Sequence, residues 1–352
     1  MSVPRVAIIG AGPSGLAAAW RLRDAPVAVT VFEKSRGVAG RAASRTRHEA
    51  RFDYGANYIK LDTPELENIV QQQLPVDDLV QILGNVGTFD KAGLIAPGDP
   101  AQNRQAKWTY ASGISTLGKH LAAASAADVR LATRVTALST DAQGWHIATD
   151  EAAGGDKLAF DAVLMTPPAP QSRDILASSD IGGVDLPTID AALAKARYHR
   201  QWCFALGFQQ PLESRPDSFA LINSDRDHAI AWLSFENDKP GRPLGGSTVI
   251  MVQMSPDWSE RHFDATAEEL LPEVRGAALS LLGLDDRPVG WFDSQRWGYA
   301  HPYEPADRNG LSVAEHQGLF FAGDALVGKG RVGESMLTGL RAAERIAAQL
   351  VE

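Results

Sequence analysis

The 352-residue chain holds a single cysteine, Cys203, so no disulfide can form within it. In "RQWCFALGF" that thiol reads as a small buried hydrophobe, and a reducing, cytoplasmic setting is the expectation. No run of about 18 apolar residues occurs, so no membrane-spanning helix is expected. The early stretch "VAIIGAGPSGLAAAWRL" is interrupted by glycines and preceded only by Arg5, which argues against a signal peptide. Clustered basic charge is missing too: the net charge is −9 and the lysines and arginines are scattered. Nucleic acid and anionic membranes are therefore not expected partners, and any anionic ligand must be held by local groups. The eight histidines, at 48, 120, 146, 199, 228, 262, 301 and 316, show no local pairing, so no metal site is expected and none is named as a base. Repeats and low-complexity tracts are absent. What is present is 44% hydrophobic and 22% charged residues, enough for a large interior in two domains, or in one with a large insertion.

The first forty residues read strand, tight turn, helix, strand: "RVAIIG", then "SGLAAAWRLRD" at helical spacing, then "VAVTVFEK". The turn runs Gly10, Ala11, Gly12, Pro13, Ser14, Gly15 and fits G-x-G-x-x-G, with Glu33 18 residues beyond Gly15. Gly10 permits the turn, Gly12 lets backbone approach a pyrophosphate, and Gly15 lets the helix pack on the strand. The helix N-terminus then faces the phosphates while Glu33 accepts hydrogen bonds from a ribose. A dinucleotide is expected, with NAD and FAD both open at this point.

"EKSRGVAGRAAS" adds Lys34, Arg36, Gly40 and Arg41, and this segment resembles the extended fingerprint of FAD enzymes in the amine-oxidase and glutathione-reductase-type superfamily. By that resemblance Arg41 stands at the pyrophosphate. "FDYGANYI" looks like the segment that such proteins run past the flavin, placing Gly55, Ala56, Asn57 and Tyr58 at the ring. Near the end, "GLFFAGDALVGKGRVGESMLTGL" puts six glycines into one apolar frame. The superfamily closes its cofactor site in this way. Gly323 and Asp324 follow a strand, Asp324 would accept from ribityl hydroxyls, and Val332, Gly333 and Glu334 open a helix whose amides face the flavin. Val135 occupies an adenine-contacting position of the family, and Thr166 ends a buried strand where the chain leaves the cofactor domain.

From residue 197 onward "ARYHRQWCFALGF", "DSFALIN", "HAIAWLSF" and "STVIMVQMS" read as antiparallel strands, and "DATAEELLPEVRGAALSLLG" as an amphipathic helix. The expected fold is α/β. A Rossmann-type, glutathione-reductase-like FAD-binding domain with a parallel sheet (1–62, 108–168, 294–352) interleaves with an α+β substrate domain on a mostly antiparallel sheet (63–107, 169–293).

"KSRGVAGRAAS", "FDYGANYI", "KWTYASGISTLGKHLA", "TPPAPQ", "QRWGYAHP" and "AGDALVGKGRVGESMLTG" occur in an order and at spacings similar to the renalases, especially bacterial ones. The likeness runs nearly end to end and is weakest between about residues 170 and 290. It implies non-covalent FAD and a dihydronicotinamide isomer of NAD(P) as substrate, with dioxygen as acceptor and hydrogen peroxide as product. A flavin amine oxidase or desaturase acting on an apolar molecule is the rival, and a non-catalytic flavin-binding redox sensor is a third reading. Tyr58, Trp108, Trp232, Trp297 and Tyr299 are the aromatic candidates to face substrate, and Lys107 is the lysine placed near the flavin. Asn57 stands where the family more often has Gln, and "ALVGKGRVGES" is longer and more basic than the family pattern.

Overall fold

A computed structural model of the chain describes residues 3–150, 158–212 and 215–351; the remainder of the expected domain spans lies outside the described residues. Strands Arg5–Ile9 and Ala28–Phe32, with the helix Pro13–Leu22 between them, form the first unit. They sit at the centre of a five-stranded, all-parallel sheet. Its order is Leu319–Phe321, Ala162–Met165, Arg5–Ile9, Ala28–Phe32, Asp128–Arg130, so the chain's last strand closes one edge. The central strands are apolar on both faces because helices cover both faces.

One of those covering helices is the last, Val332–Val351, which packs along the first helix. Small residues permit the approach: a methyl group on Gly339 would lie 2.0 Å from the Ser14 carbonyl oxygen. The Ser14 and Thr338 hydroxyls also meet at 3.3 Å. The two glycine-rich ends of the sequence are therefore in contact.

The second sheet has seven strands, ordered Trp291–Glu304, Arg197–Phe208, Thr248–Met254, Ile230–Phe235, Ala220–Asn223, Val86–Phe89, Ile95–Ala96. All neighbours are antiparallel except Ala220–Asn223 with Val86–Phe89, which are parallel. The helix Ala267–Leu281 covers one face and starts at a Thr266–Glu269 capping box.

Three stretches differ from the expected domain division. Pro64–Asn68 and Ile69–Gln73, expected in the substrate domain, bury Leu66, Ile69, Val70 and the following Leu74 in the same core as the first helix. Residues 294–304 belong to the seven-stranded sheet, because the 14-residue strand Trp291–Glu304 continues pairing along Arg197–Phe208. Helices Ala169–Ala177 and Leu186–Ala194 pack beneath the parallel sheet with Val163, Met165 and Phe321, burying their apolar faces there rather than on the second sheet.

Candidate flavin site

Between the two sheets lies a cavity of about 1380 Å³. The first glycine turn forms its floor. Gly10 adopts φ 100°, a left-handed conformation in which a side chain is strained. A methyl on Gly15 would sit 2.1 Å from the Gly10 carbonyl oxygen, so the helix can approach the strand only without one. Gly12 differs: a methyl there would meet nothing within 4 Å and would project into open space. Glu33 is buried and accepts from the amides of Ala11 and Ser35, each at 2.8 Å, while its remaining carboxylate surface lines the cavity. The Thr166 hydroxyl donates to the Ile9 carbonyl at 2.7 Å and ties the strand Ala162–Met165 to this turn.

The late loop meets Arg41. Its guanidinium donates to Asp324 at 2.8 Å and to the Tyr299 and Ala300 carbonyls at 3.1 Å. The Tyr198 hydroxyl also stands at Asp324, and its acidity is suppressed by burial and then by that carboxylate. Gly323 takes φ 118° and donates its amide to the Thr338 hydroxyl at 2.8 Å, which fixes the entry into the closing helix. One arginine thus joins the early fingerprint, the late Gly-Asp and the long strand of the second sheet.

Gly55–Tyr58 forms the opposite wall. Gln253 donates to the Gly55 carbonyl at 2.8 Å and Ser234 to the Asn57 side-chain carbonyl at 3.3 Å, so the second sheet positions this segment. Trp297 stacks on Tyr54 at 5.7 Å and donates to its carbonyl. Tyr58, Phe219 and Trp232 form an aromatic cluster with ring centres 6.1 to 6.2 Å apart. Trp232 lines the cavity, and its buried indole N–H has no partner among the described residues. His301 also lines the cavity; burial, then His199 and Arg41, push its imidazole down to about 4, so it is neutral at neutral pH.

Beneath this wall is a group of four fully buried charges. Lys239 and Arg242 reach Asp53 at 3.0 and 2.6 Å and Glu236 at 2.6 and 2.9 Å. Burial alone would raise the Asp53 carboxyl, but Lys239 and Arg242 overcome it and hold the group down to about 2. Asp53 directly precedes Tyr54–Tyr58, so these ion pairs pin the ring-end segment to the second sheet. Two acids and two bases leave the group neutral overall, and the Ser44 hydroxyl and Ile114 amide donate to further lone pairs of Asp53.

All the residues expected at the cofactor line the cavity except three. Ala11 and Gly15 act from behind it, through the Glu33 bond and helix packing. Arg36 is exposed and does not line the cavity, although its neighbours Lys34, Ser35 and Gly37 do. Among the substrate-facing candidates, Tyr58, Trp232, Trp297 and Tyr299 line the cavity, whereas Lys107 and Trp108 do not. Their strand pairs with Leu79–Ile82, which packs Trp108 against the first core and buries the Lys107 ammonium beside the Asn103 carbonyl at 3.3 Å. Sequence reasoning missed Gln201, Gln253, His301, Lys60 and Arg331, all of which line the cavity. For Arg331 the basic character of "GKGRVGES" was the available signal; Gln201 and Gln253 have none.

Residues 90–347 match the family described as flavin containing amine oxidoreductase, and residues 8–72 match an NAD(P)-binding Rossmann-like domain. The chain belongs to the flavin containing amine oxidoreductase family, and is an FAD-dependent oxidoreductase. A structure from Exiguobacterium sp. 255-15, provisionally described as a protoporphyrinogen oxidase, superposes with a TM-score of 0.79 at 15% identity, covering 99% of this chain and 100% of that one. Cyclohexylamine oxidase from Brevibacterium oxydans IH-35A gives 0.76 at 16% identity, covering 100% of both chains. Both likenesses bear on the fold. Protoporphyrinogen oxidase 2 of Arabidopsis thaliana is 37% identical over 83 residues, a match that spans 22% of this chain and 16% of that protein's length. Among the described residues no helix is long and apolar enough to cross a membrane.

The geometry accommodates FAD. Open space above Gly12, a buried carboxylate at Glu33 and the Arg41–Asp324 pair lie along one continuous cavity.

Proposed function

We propose that the enzyme is of renalase type, oxidising dihydronicotinamide isomers of NAD(P) to the aromatic nicotinamide, with dioxygen as acceptor and hydrogen peroxide as product. The observation that carries this reading is the wall at the ring end of the cavity, where Tyr58, Phe219 and Trp232 cluster and the Trp232 N–H has no partner among the described residues. Such a wall suits a flat ring bearing a hydrogen-bond acceptor, since a buried donor left unmade is unfavourable.

In this reading the residues along the cavity divide the work. Gly10 and Gly12 hold the turn open for the diphosphate, Glu33 accepts from a ribose, and Arg41 and Asp324 hold the diphosphate and ribityl groups. Val135 borders the adenine side, and Thr166 braces the Gly10 turn. Gly55, Ala56 and Asn57 border the ring, and Val332, Gly333 and Glu334 present the closing helix to its pyrimidine edge. FAD, when bound, supplies a two-electron acceptor that dioxygen reoxidises. Tyr58, Trp232, Trp297 and Tyr299 then have only to orient the substrate and exclude water. A dihydropyridine expels hydride by lone-pair push from its own nitrogen, so no side chain need take a proton.

Amine oxidation is the second reading. Its support is the family membership and the likeness to an enzyme named cyclohexylamine oxidase; His301, held down to about 4, is too weak a base to take the ammonium proton. Anaerobic mixing distinguishes the two. Isomeric dihydronicotinamides should bleach the flavin band within seconds while cyclohexylamine and putrescine leave it oxidised; the reverse pattern assigns the protein to amines.

A further inference from the structure

The ring end of the cavity carries two cations that none of these roles uses. Lys60, which follows the Asn57–Tyr58 wall, and Arg331, from the loop before the closing helix, both line it. They meet in the fold: a methyl on Gly333, two residues after Arg331, would sit 3.0 Å from the Lys60 carbonyl oxygen, and burial, then Arg331, pulls the Lys60 ammonium below its ordinary range. Arg331 stands at the Tyr58 hydroxyl, and Lys60 donates to the Gln105 side-chain carbonyl at 2.5 Å, which leaves further N–H groups on both cations. The ion pairs nearby run elsewhere, Arg41 with Asp324 and Arg341 with Glu65, and neither Lys60 nor Arg331 takes part in one among the described residues. Asp62 is exposed at the same rim and Glu334 lies on the first turn of the closing helix. Behind them the buried Lys107 is near enough for Lys60 to lower it further, after burial. The Trp232 indole, Tyr58, Arg331 and Lys60 all line this cavity and all carry hydrogen-bond donors.

We propose that Lys60 and Arg331 form an anion subsite at the mouth of the cavity, so that the enzyme takes planar substrates bearing a phosphate or carboxylate and disfavours ammonium-bearing ones. The guanidinium and ammonium meet an oxyanion with charge-assisted hydrogen bonds, Lys60 from a half-buried position and Arg331 from an exposed one. An incoming ammonium group meets Lys60 and Arg331 at the same place, a repulsion that Asp62 and Glu334 offset only in part because neither pairs with these cations among the described residues. The proposal deepens the functional reading above and rests on it in placing the substrate ring against Tyr58 and Trp232.

The test uses oxidised holoenzyme titrated with four probes of one ring size: phenyl phosphate, benzoate, neutral benzamide and benzylammonium, each followed by the shift of the flavin band. At least one anion should bind at least about tenfold more tightly than benzylammonium, a difference of about 1.4 kcal/mol. K60Q and R331Q should each remove most of that preference while benzamide binding stays as in the parent, which shows that the aromatic wall is intact. Tighter binding of phenyl phosphate than benzoate shows that the subsite favours a phosphate, and the opposite order a carboxylate. The proposal is overturned if benzylammonium binds as tightly as both anions, if neither anion perturbs the band at millimolar concentration, or if the preference survives in both variants. Because no hydride transfer is needed, failure here is separate from failure of dihydronicotinamides to bleach the flavin.

Discussion

On the parallel-sheet side of the cavity the chain offers backbone: a left-handed Gly10, an open Gly12, amides turned toward Glu33 and the start of the closing helix. On the seven-stranded side it offers side chains, Trp232, Trp297, Tyr299, Gln201 and Gln253, carried on strands braced by buried charges. The difference follows from the task. A diphosphate is the same in every FAD, and closely approaching amides bind it well. Substrate choice must be tunable, and side chains on a rigid sheet can change without disturbing the cofactor.

The largest expected effect falls on the backbone side. In G15A the new methyl clashes with the Gly10 carbonyl, which no side-chain rotation relieves. Apoprotein stability should fall by at least about 3 kcal/mol and FAD retention should be lost, read by melting temperature and visible absorbance. On the other side, D53A removes the shared partner of Lys239 and Arg242, and thermal unfolding should show a loss of about 3–5 kcal/mol.

D53N sharpens this through pH. The native Asp53 carboxyl is held at about 2 against an ordinary 3.8, so its contribution is present above about 4 and disappears as pH falls from there towards 2. Glu236, which burial pushes upward against Lys239 and Arg242, slopes the other way. The difference between parent and D53N isolates the Asp53 slope, and parallel acid-unfolding curves would show that Asp53 contributes none.

G12A should separate affinity from folding. Gly12 has φ −77° and ψ 178°, which alanine tolerates, so the apoprotein should be equally stable or gain about 0.4–1 kcal/mol. Its methyl enters the space above the turn, and the dissociation constant for FAD should rise about tenfold or more, measured by fluorescence titration. Smallest of all, K107M should leave flavin reduction within about twofold of the parent, because Lys107 lies behind the wall rather than in the cavity.

The same contrast explains what could be read in advance. Backbone demands dictate residue type, so Gly10, Gly12, Gly15, Glu33 and the distant Gly323–Asp324 are visible in the sequence as a spaced pattern. The strands of the second sheet are visible as apolar runs, but their order is not, since pairing Val86–Phe89 with Ala220–Asn223 across more than a hundred residues leaves no local mark. Asp53 and Arg242 look like solvated charges until the fold buries them together. Lys107 and Trp108 mislead for a related reason: their neighbouring motif is near the flavin, yet strand pairing turns their side chains elsewhere.

The division of labour between the two sides is tested most directly by anaerobic stopped-flow reduction of FAD-saturated enzyme with an isomeric dihydronicotinamide. G12A should bleach at the parent's limiting rate once saturated with FAD, while Trp232→Phe, which keeps the ring and loses the indole N–H, should need several-fold more substrate for half-maximal rate, about 1 kcal/mol. A saturated G12A enzyme that reduces slowly, together with a W232F enzyme indistinguishable from the parent, would contradict the account.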